Sequence, residues 1–391
     1  MKVVIATAVY HPQINGVAVF SHNLACGLAA RGVEVLVICP SQTGKSYSRM
    51  VDGVKVHYLK SVEMKVYPDQ IHEVSGGRRL FYKHGFRVSV FPSSEVAEVL
   101  GDFQPDVVHV QVSDPIGLSV VSWARKNNVP VVTTEHNQPE VLTDPLHVPK
   151  LFKKPANYLL SAYFRNRQSK SDFVTMPTKA AIDNLLFRSG RRLEVPVAAV
   201  SNGVDLSKFK PGKADDVPTV LYVGRVDPEK KVGVVIEAFL KATVPGAQLV
   251  IVGDGVDKAR LMRKYDGVEA VKFLGRVVGP DLYELYKTAW VFATASEIET
   301  QGIVLIEAAA CGLPLIAVDA GAVSEVCLDG ENGYLCEPGS VAEIAAAMVK
   351  ILTDDKLREK FSKRSLAVAK EHDFETTLDR FINIYNKVIK K

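Results

Sequence analysis

Thr219-Val220-Leu221-Tyr222-Val223-Gly224-Arg225-Val226-Asp227-Pro228-Glu229-Lys230-Lys231 is the stretch on which the fold turns. Its first five residues are β-branched, aliphatic or aromatic with no polar alternation, the pattern of a strand covered on both faces, as strands of parallel sheets are. A helical pattern follows over 231–242, then a second apolar run over 247–252. Strand, helix and strand in that order make a parallel pair with its crossover. Working outward, further strands are read at 3–9, 33–39, 54–59, 107–112, 130–134, 172–176 and 197–200 on one side, and at 271–274, 290–294 and 314–318 on the other. Helical stretches at 18–31, 115–127, 150–169, 303–311 and 340–352 separate most of them, which predicts an α/β chain of parallel sheets with helices on both faces. Asn202 to Pro218 carries Gly203, Pro211, Gly212 and an Asp215-Asp216 pair and reads as a linker. The expected layout is two doubly wound Rossmann-like domains facing across a cleft. They span 1–200 and 201–374, with a tail helix at 375–391 whose Phe381-Ile382-Asn383-Ile384-Tyr385 spacing suits packing back on the first domain. In such sheets ligands gather at the carboxyl ends of the strands.

Composition narrows the class. The chain has 391 residues, 47% apolar and 24% charged, enough for two cores and too apolar for disorder. Five scattered cysteines without Cys-x-x-Cys argue against a disulfide scaffold or a metal cluster and for buried free thiols in a reducing compartment. No run reaches the ~18 apolar residues of a membrane span. The opening Val3–Val9 is followed by Tyr10-His11-Pro12 rather than a small-residue cleavage pattern, so it reads as a first strand and the chain as cytoplasmic. Charge is uneven: residues 1–195 hold 23 Lys/Arg against 16 Asp/Glu, residues 196–391 hold 25 against 28. Between His147 and Arg192 ten bases (Lys150, Lys153, Lys154, Arg165, Arg167, Lys170, Lys179, Arg188, Arg191, Arg192) face two acids, with Phe152, Tyr158, Tyr163 and Phe164 interleaved. Two readings stand: an amphipathic surface for anionic lipid, or a solvated helix face with its aromatics in the core. The near-neutral total and the lack of a recognition motif make nucleic acid a poor third.

The chemistry-bearing residues follow strands. Arg225 and Lys230 are two cations at a strand end that can clamp a diphosphate or simply decorate a turn. Ser296-Glu297-Ile298-Glu299-Thr300-Gln301-Gly302 leads into a helix whose free N–H groups attract phosphate. Within 303–312 only Glu307 carries a charge at neutral pH, and a carboxylate in so apolar a setting needs a partner: ribose hydroxyls, or an internal Lys or Arg. Glu299 either holds sugar hydroxyls or caps the helix.

Glu299 and Glu307 with seven residues between, then Ala310-Cys311-Gly312-Leu313-Pro314, combine with Gly224-Arg225, Glu229-Lys230, Ser201-Asn202-Gly203-Val204-Asp205 and Val252-Gly253-Asp254-Gly255. This set resembles the retaining glycosyltransferases of family 4, of GT-B fold, over nearly the whole chain. The resemblance implies sugar transfer from a nucleotide donor with no cofactor and no essential metal, and the chain indeed holds no Asp-x-Asp pair. It assigns Arg225 and Lys230 to the diphosphate, Glu299 and the backbone at Gln301, Gly302 and Ile303 to the donor sugar, and Glu307 to the ribose. Gly224 belongs to the donor loop. Asn15-Gly16-Val17 matches the family's phosphate loop, where a side chain on Gly16 would block close backbone approach. His136 matches the active-site histidine beside the donor sugar. One departure is His109-Val110-Gln111 where many relatives carry His-x-His, which leaves His109 a weak candidate. Asp114-Pro115 reads as an N-cap with Pro at N1.

In Glu-Thr-Gln-Gly, Asn-Gly-Val-Ala and the basic aromatic stretch, the chain looks most like diacylglycerol glucosyltransferases. These imply UDP-glucose, a lipid acceptor, an anionic membrane surface on the cytoplasmic side and no obligate protein partner. A GDP-mannose-dependent phosphatidylinositol mannosyltransferase and a soluble-acceptor transferase are the alternatives. A nucleotide-sugar epimerase and a non-catalytic nucleotide-sugar sensor are rivals from other classes. A nicotinamide dehydrogenase is disfavoured, because the first strand lacks a following Gly-x-Gly-x-x-Gly.

Overall fold

The computed structural model describes residues 1–11, 13, 16–63, 72–74, 78–80, 87–111, 114–136, 150–189 and 194–390. They divide into two compact units: Met1–Asp69 with His84–Ser201 and Thr377–Lys391, and Gln70–Lys83 with Asn202–Thr376.

The first unit is built on an eight-stranded sheet. Its strands are β1 (Lys2–Ala6), β2 (Glu34–Pro40), β3 (Tyr47–Val51), β4 (Val54–Leu59), β5 (Val107–Val110), β6 (Val131–Thr134), β7 (Phe173–Met176) and β8 (Val197–Ala199), in the order β8-β7-β6-β5-β1-β2-β4-β3. All pairs are parallel except β3 with β4. That hairpin escapes a sequence reading because Ser48, Arg49 and Met50 are exposed on the outer edge, so no apolar alternation marks β3. Its turn is Asp52-Gly53, both at positive φ (45° and 81°), as a two-residue hairpin loop requires. Helices α1 (Gly16–Ala30), α2 (Ser93–Phe103), α3 (Pro115–Lys126), α4 (Lys150–Gln168) and α5 (Lys179–Ser189) accompany the sheet. At the start of α3 the Gly117 N–H donates to Asp114 Oδ1 at 2.8 Å with Pro115 at N1, the expected cap.

The second unit holds a six-stranded, wholly parallel sheet: β9 (Thr219–Val223), β10 (Gln248–Val252), β11 (Val271–Gly275), β12 (Val291–Ala293), β13 (Leu315–Val318) and β14 (Gly333–Cys336), in the order β11-β10-β9-β12-β13-β14. Val220 and Tyr222 of β9 pack into one apolar cluster, Leu221 and Val223 into another, so the strand is buried on both faces. Helices α6 (Val232–Ala242), α7 (Lys258–Lys264), α8 (Pro280–Thr288), α9 (Ile303–Ala310), α10 (Val341–Thr353) and α11 (Asp355–Glu371) surround it. A last helix, α12 (Phe374–Ile389), has Phe381 and Tyr385 fully buried, and its residues from Thr377 belong to the first unit.

The start of the expected linker proves to be part of the second unit. The Val204 N–H donates to His372 O at 2.9 Å and Phe374 N–H to Val204 O at 3.1 Å. Phe209 is buried edge-on against Tyr283 and Tyr286, and a Cβ on Gly212 would come within 2.5 Å of Lys287 Cβ. Two apolar anchors among turn residues are enough to pin the segment. All five cysteines are free, four buried and Cys26 half-buried.

Candidate active site

Strand order reverses between β9 and β12: from β9 the sheet grows one way through β10 and the other way through β12. Loops leaving the two strands diverge there and open a crevice at their carboxyl ends. The loops after β9 and β10 meet backbone to backbone. Gly224 N–H donates to Val252 O at 3.0 Å, and Val226 N–H to Asp254 O at 2.9 Å. A Cβ on Gly253 would sit 1.8 Å from Gly224 O, and φ is 153° at Gly224 and 137° at Gly253. Glycine is required at 253 by this close approach, a role the sequence motif did not disclose. The Tyr222 hydroxyl donates to Arg225 O at 2.7 Å and holds the turn from beneath.

Lys230 ends a short 3₁₀ turn (Pro228–Lys230) and reaches across to the segment after β12. Its Nζ donates to Glu299 Oε1 at 2.6 Å, and weaker contacts run to Ser296 Oγ and Ile298 O at 3.4 and 3.5 Å. Both partners are mostly shielded, with 16% and 18% of their side chains exposed. An ammonium group has three donors, so Lys230 can hold Glu299 and still meet an arriving phosphate. Arg225 is different. It is 55% exposed and pairs with Asp227 and with Glu229, the latter at 2.6 Å. Glu299 is not the cap of α9: Gly302 occupies that position at φ 73° without a side-chain cap bond, and no acidic residue lies in the first turn. The first amides of α9, from Ile303, are therefore not capped by a side chain. The Gln301 side chain is committed inward, its Oε1 accepting from Asn202 N–H at 3.0 Å.

Glu307 lies one turn along α9, ringed by protein but with an edge still reaching solvent. No Lys or Arg pairs with it among the described residues; instead the buried Tyr286 hydroxyl donates to its Oε2 at 2.8 Å. Burial pushes this carboxyl up to about 7, and the tyrosine hydrogen bond opposes the rise only in part. Sequence reasoning missed Tyr286 because nothing local pairs it with a carboxylate 21 positions away on another helix, although Pro280 at the start of α8, Asp281 in its first turn and Lys287 in its last mark that helix in the sequence.

In the first unit His136 follows β6 and is 8% exposed. Its Nε2 lies 2.8 Å from Gln111 Oε1, and its ring meets Phe20 edge-on at 5.1 Å. His109 is wholly buried between the Tyr385 hydroxyl (2.7 Å from Nδ1) and Thr134 Oγ1 (2.6 Å from Nε2), which makes it a framework residue. Burial drives both imidazoles down to about 3, so both are neutral. Gly16 opens α1 exposed, and apart from its chain neighbours and its own helix backbone no atom of the described residues lies within 4 Å of an added Cβ; Asn15 lies outside the described residues. On α4 the side chains of Tyr158, Leu159 and Tyr163 are exposed, not in the core, and Arg167 lies 5.0 Å over the Tyr163 ring. The side chains of Lys150, Phe152, Lys153, Lys154, Phe164 and Arg188, and residues His147, Arg191 and Arg192, lie outside the described set.

Comparison with known proteins bears on the fold and the family. Residues 14–208 match the model of Glycosyltransferase Family 4 and residues 204–367 that of Glycosyl transferases group 1. Anabaena Alr3699/HepE, solved with UDP and glucose, superposes with a TM-score of 0.72 at 19% identity, over 99% of this chain and all of that one. Fold and matched domains together define a GT-B glycosyltransferase. The chain belongs to glycosyltransferase family 4. A GDP-mannose-dependent alpha-mannosyltransferase of Mycobacterium tuberculosis is 28% identical over 377 residues, covering 93% of this chain and 91% of the relative. The alpha-monoglucosyldiacylglycerol synthase of Acholeplasma laidlawii is 26% identical over 414 aligned positions, covering 100% and 98%.

Proposed function

We propose that the protein is a retaining hexosyltransferase that moves glucose from UDP-glucose to a lipid acceptor such as diacylglycerol at an anionic membrane surface. The observation that carries the donor half is Glu307, an acid on an apolar helix with one hydroxyl donor and no basic partner among the described residues. Ribose hydroxyls complete its hydrogen bonding. Lys230 and Arg225 neutralise the diphosphate as the anomeric bond breaks, and the uncapped amides at Gly302 and Ile303 add positive potential. Arg225 leaves Asp227 or Glu229 to do so, and its exposure makes that exchange inexpensive. Glu299, held by Lys230, and His136 take hydroxyls of the transferred sugar. The acceptor attacks on the face the leaving group departs from, and a phosphate oxygen receives its proton. Neither a protein nucleophile nor a metal is then required.

For the acceptor, support comes from the exposed Tyr158, Leu159 and Tyr163 beside Arg165 and Arg167 on α4, from the basic excess of residues 1–195, and from the glucosyldiacylglycerol synthase relative. No helix among the described residues is long and apolar enough to cross a membrane, so attachment is proposed at the surface. The mannosyltransferase relative supports the donor of a second reading, GDP-mannose, which we pair with a phosphatidylinositol acceptor. A matrix of UDP- and GDP-sugars, with and without anionic vesicles containing diacylglycerol or phosphatidylinositol, decides between them by released nucleotide and lipid product. Turnover only with a soluble acceptor would refute both lipid readings. Interconversion of donors without any acceptor would indicate an epimerase instead.

A further inference from the structure

The polar cluster behind His136 sets what that side chain can recognise. We propose that Gln111 is a positioning residue for His136: its amide oxygen fixes the imidazole N–H on Nε2 and leaves Nδ1 as a bare acceptor for a hydroxyl of the transferred sugar. The sugar half of this statement rests on the assignment of His136 made above.

The argument begins at His109. Both of its ring nitrogens are already engaged, Nδ1 by the Tyr385 hydroxyl and Nε2 by Thr134 Oγ1, which is itself 2.6 Å from Thr175 Oγ1. The Gln111 amide nitrogen lies 3.3 Å from one ring nitrogen and 3.2 Å from the other. A point nearly equidistant at that range cannot lie in the ring plane without overlapping a ring carbon, so it sits over the ring face. An N–H over an aromatic face is attracted and a carbonyl oxygen is repelled. His109 therefore orients the amide: nitrogen toward its own face, oxygen toward His136. That oxygen, 2.8 Å from His136 Nε2, can only accept, so Nε2 carries the proton. Burial keeps His136 neutral, with one N–H to place. Nδ1 makes no hydrogen bond with any described residue, and Phe20 holds the ring edge. A histidine at 111 would have two tautomers of its own and would not define this polarity. Tyr385 comes from α12, so the C-terminal helix takes part in holding the cluster.

The test uses the full-length protein labelled with ¹⁵N-histidine. Two-bond ¹H–¹⁵N correlation at pH 7.5 reads each tautomer, and His136 is assigned by its loss in His136→Ala. The expected result is Nε2–H in the native chain, a mixture of tautomers in Gln111→Met, and a proton retained on Nε2 in Gln111→Glu, which keeps an oxygen there. Gln111→Met should also lose at least tenfold in kcat/KM with UDP-glucose and diacylglycerol vesicles while its Kd for UDP stays unchanged. Nδ1–H in the native protein overturns the proposal, and this spectrum decides even if Gln111→Met fails to fold. So does a Gln111→Met protein with native tautomer and native kcat/KM. Full turnover by His136→Ala overturns the sugar contact alone, and the spectra then judge Gln111's hold on the ring separately.

Discussion

Glu307→Gln should make the protein more stable and less able to bind its nucleotide. The carboxyl titrates near 4.5 in an unstructured chain and at about 7 in the folded unit, because burial disfavours its charge. Between those values the folded state holds more protons than the unfolded one, so stability falls as pH rises through the window. Below about 4.5 the acid is neutral in both states and the penalty is absent; above about 7 it is complete. The shift sets a ceiling of about 3 kcal/mol, and the solvent-reaching edge reduces it to about 1–3 kcal/mol. Glutamine keeps an oxygen for the Tyr286 hydroxyl and removes the charge. At roughly 2–4 °C per kcal/mol for a unit of this size, Glu307→Gln should melt about 2–12 °C above the native protein at pH 8, and at the same temperature at pH 4.5. Calorimetric titration should show the opposite for function, with UDP affinity lowered at least tenfold in the variant. A melting difference that is flat from pH 4.5 to 8, or a variant less stable at pH 8, would refute the assignment of an unpaired, ligand-directed acid.

Four other outcomes follow from the geometry. Lys230→Ala and Glu299→Ala should each abolish transfer with native circular dichroism; a folded variant with near-full turnover would remove the pair from the mechanism. Gly16→Ala has room for its methyl in the protein, so melting should be unchanged while kcat/KM falls roughly tenfold or more, the sign that glycine serves a ligand and not the fold. Gly253→Ala should fail on stability instead, losing roughly 3 kcal/mol or more because its Cβ meets Gly224 O and its φ is 137°; chemical denaturation measures it, and a native midpoint counters the close-approach argument. Vesicle flotation should weaken between 0.1 and 1 M NaCl, as the screening length drops from about 10 to about 3 Å, and should weaken again in Leu159→Ser; indifference to salt and to this substitution would dismiss the α4 surface.

Sequence alone determined the parallel α/β architecture, because uninterrupted apolar runs such as Thr219–Val223 satisfy only a strand covered on both sides. It also exposed the spacing of Glu299 and Glu307 and the cations at 225 and 230, since ionisable residues beside apolar ones are legible without coordinates. Side-chain partners are not. That Glu307 meets a tyrosine rather than a base, that Lys230 closes on Glu299 while Arg225 is held by two acids, and that Gln111 stands between His109 and His136 depend on tertiary packing, which joins side chains as far apart as 21 positions for Tyr286 and Glu307 and 276 for His109 and Tyr385. Edge strand β3 was hidden because its middle residues are exposed and show no apolar alternation. The segment at Val204 and Phe209 was hidden because its burial comes from neighbours distant in the chain, of which local periodicity carries no record.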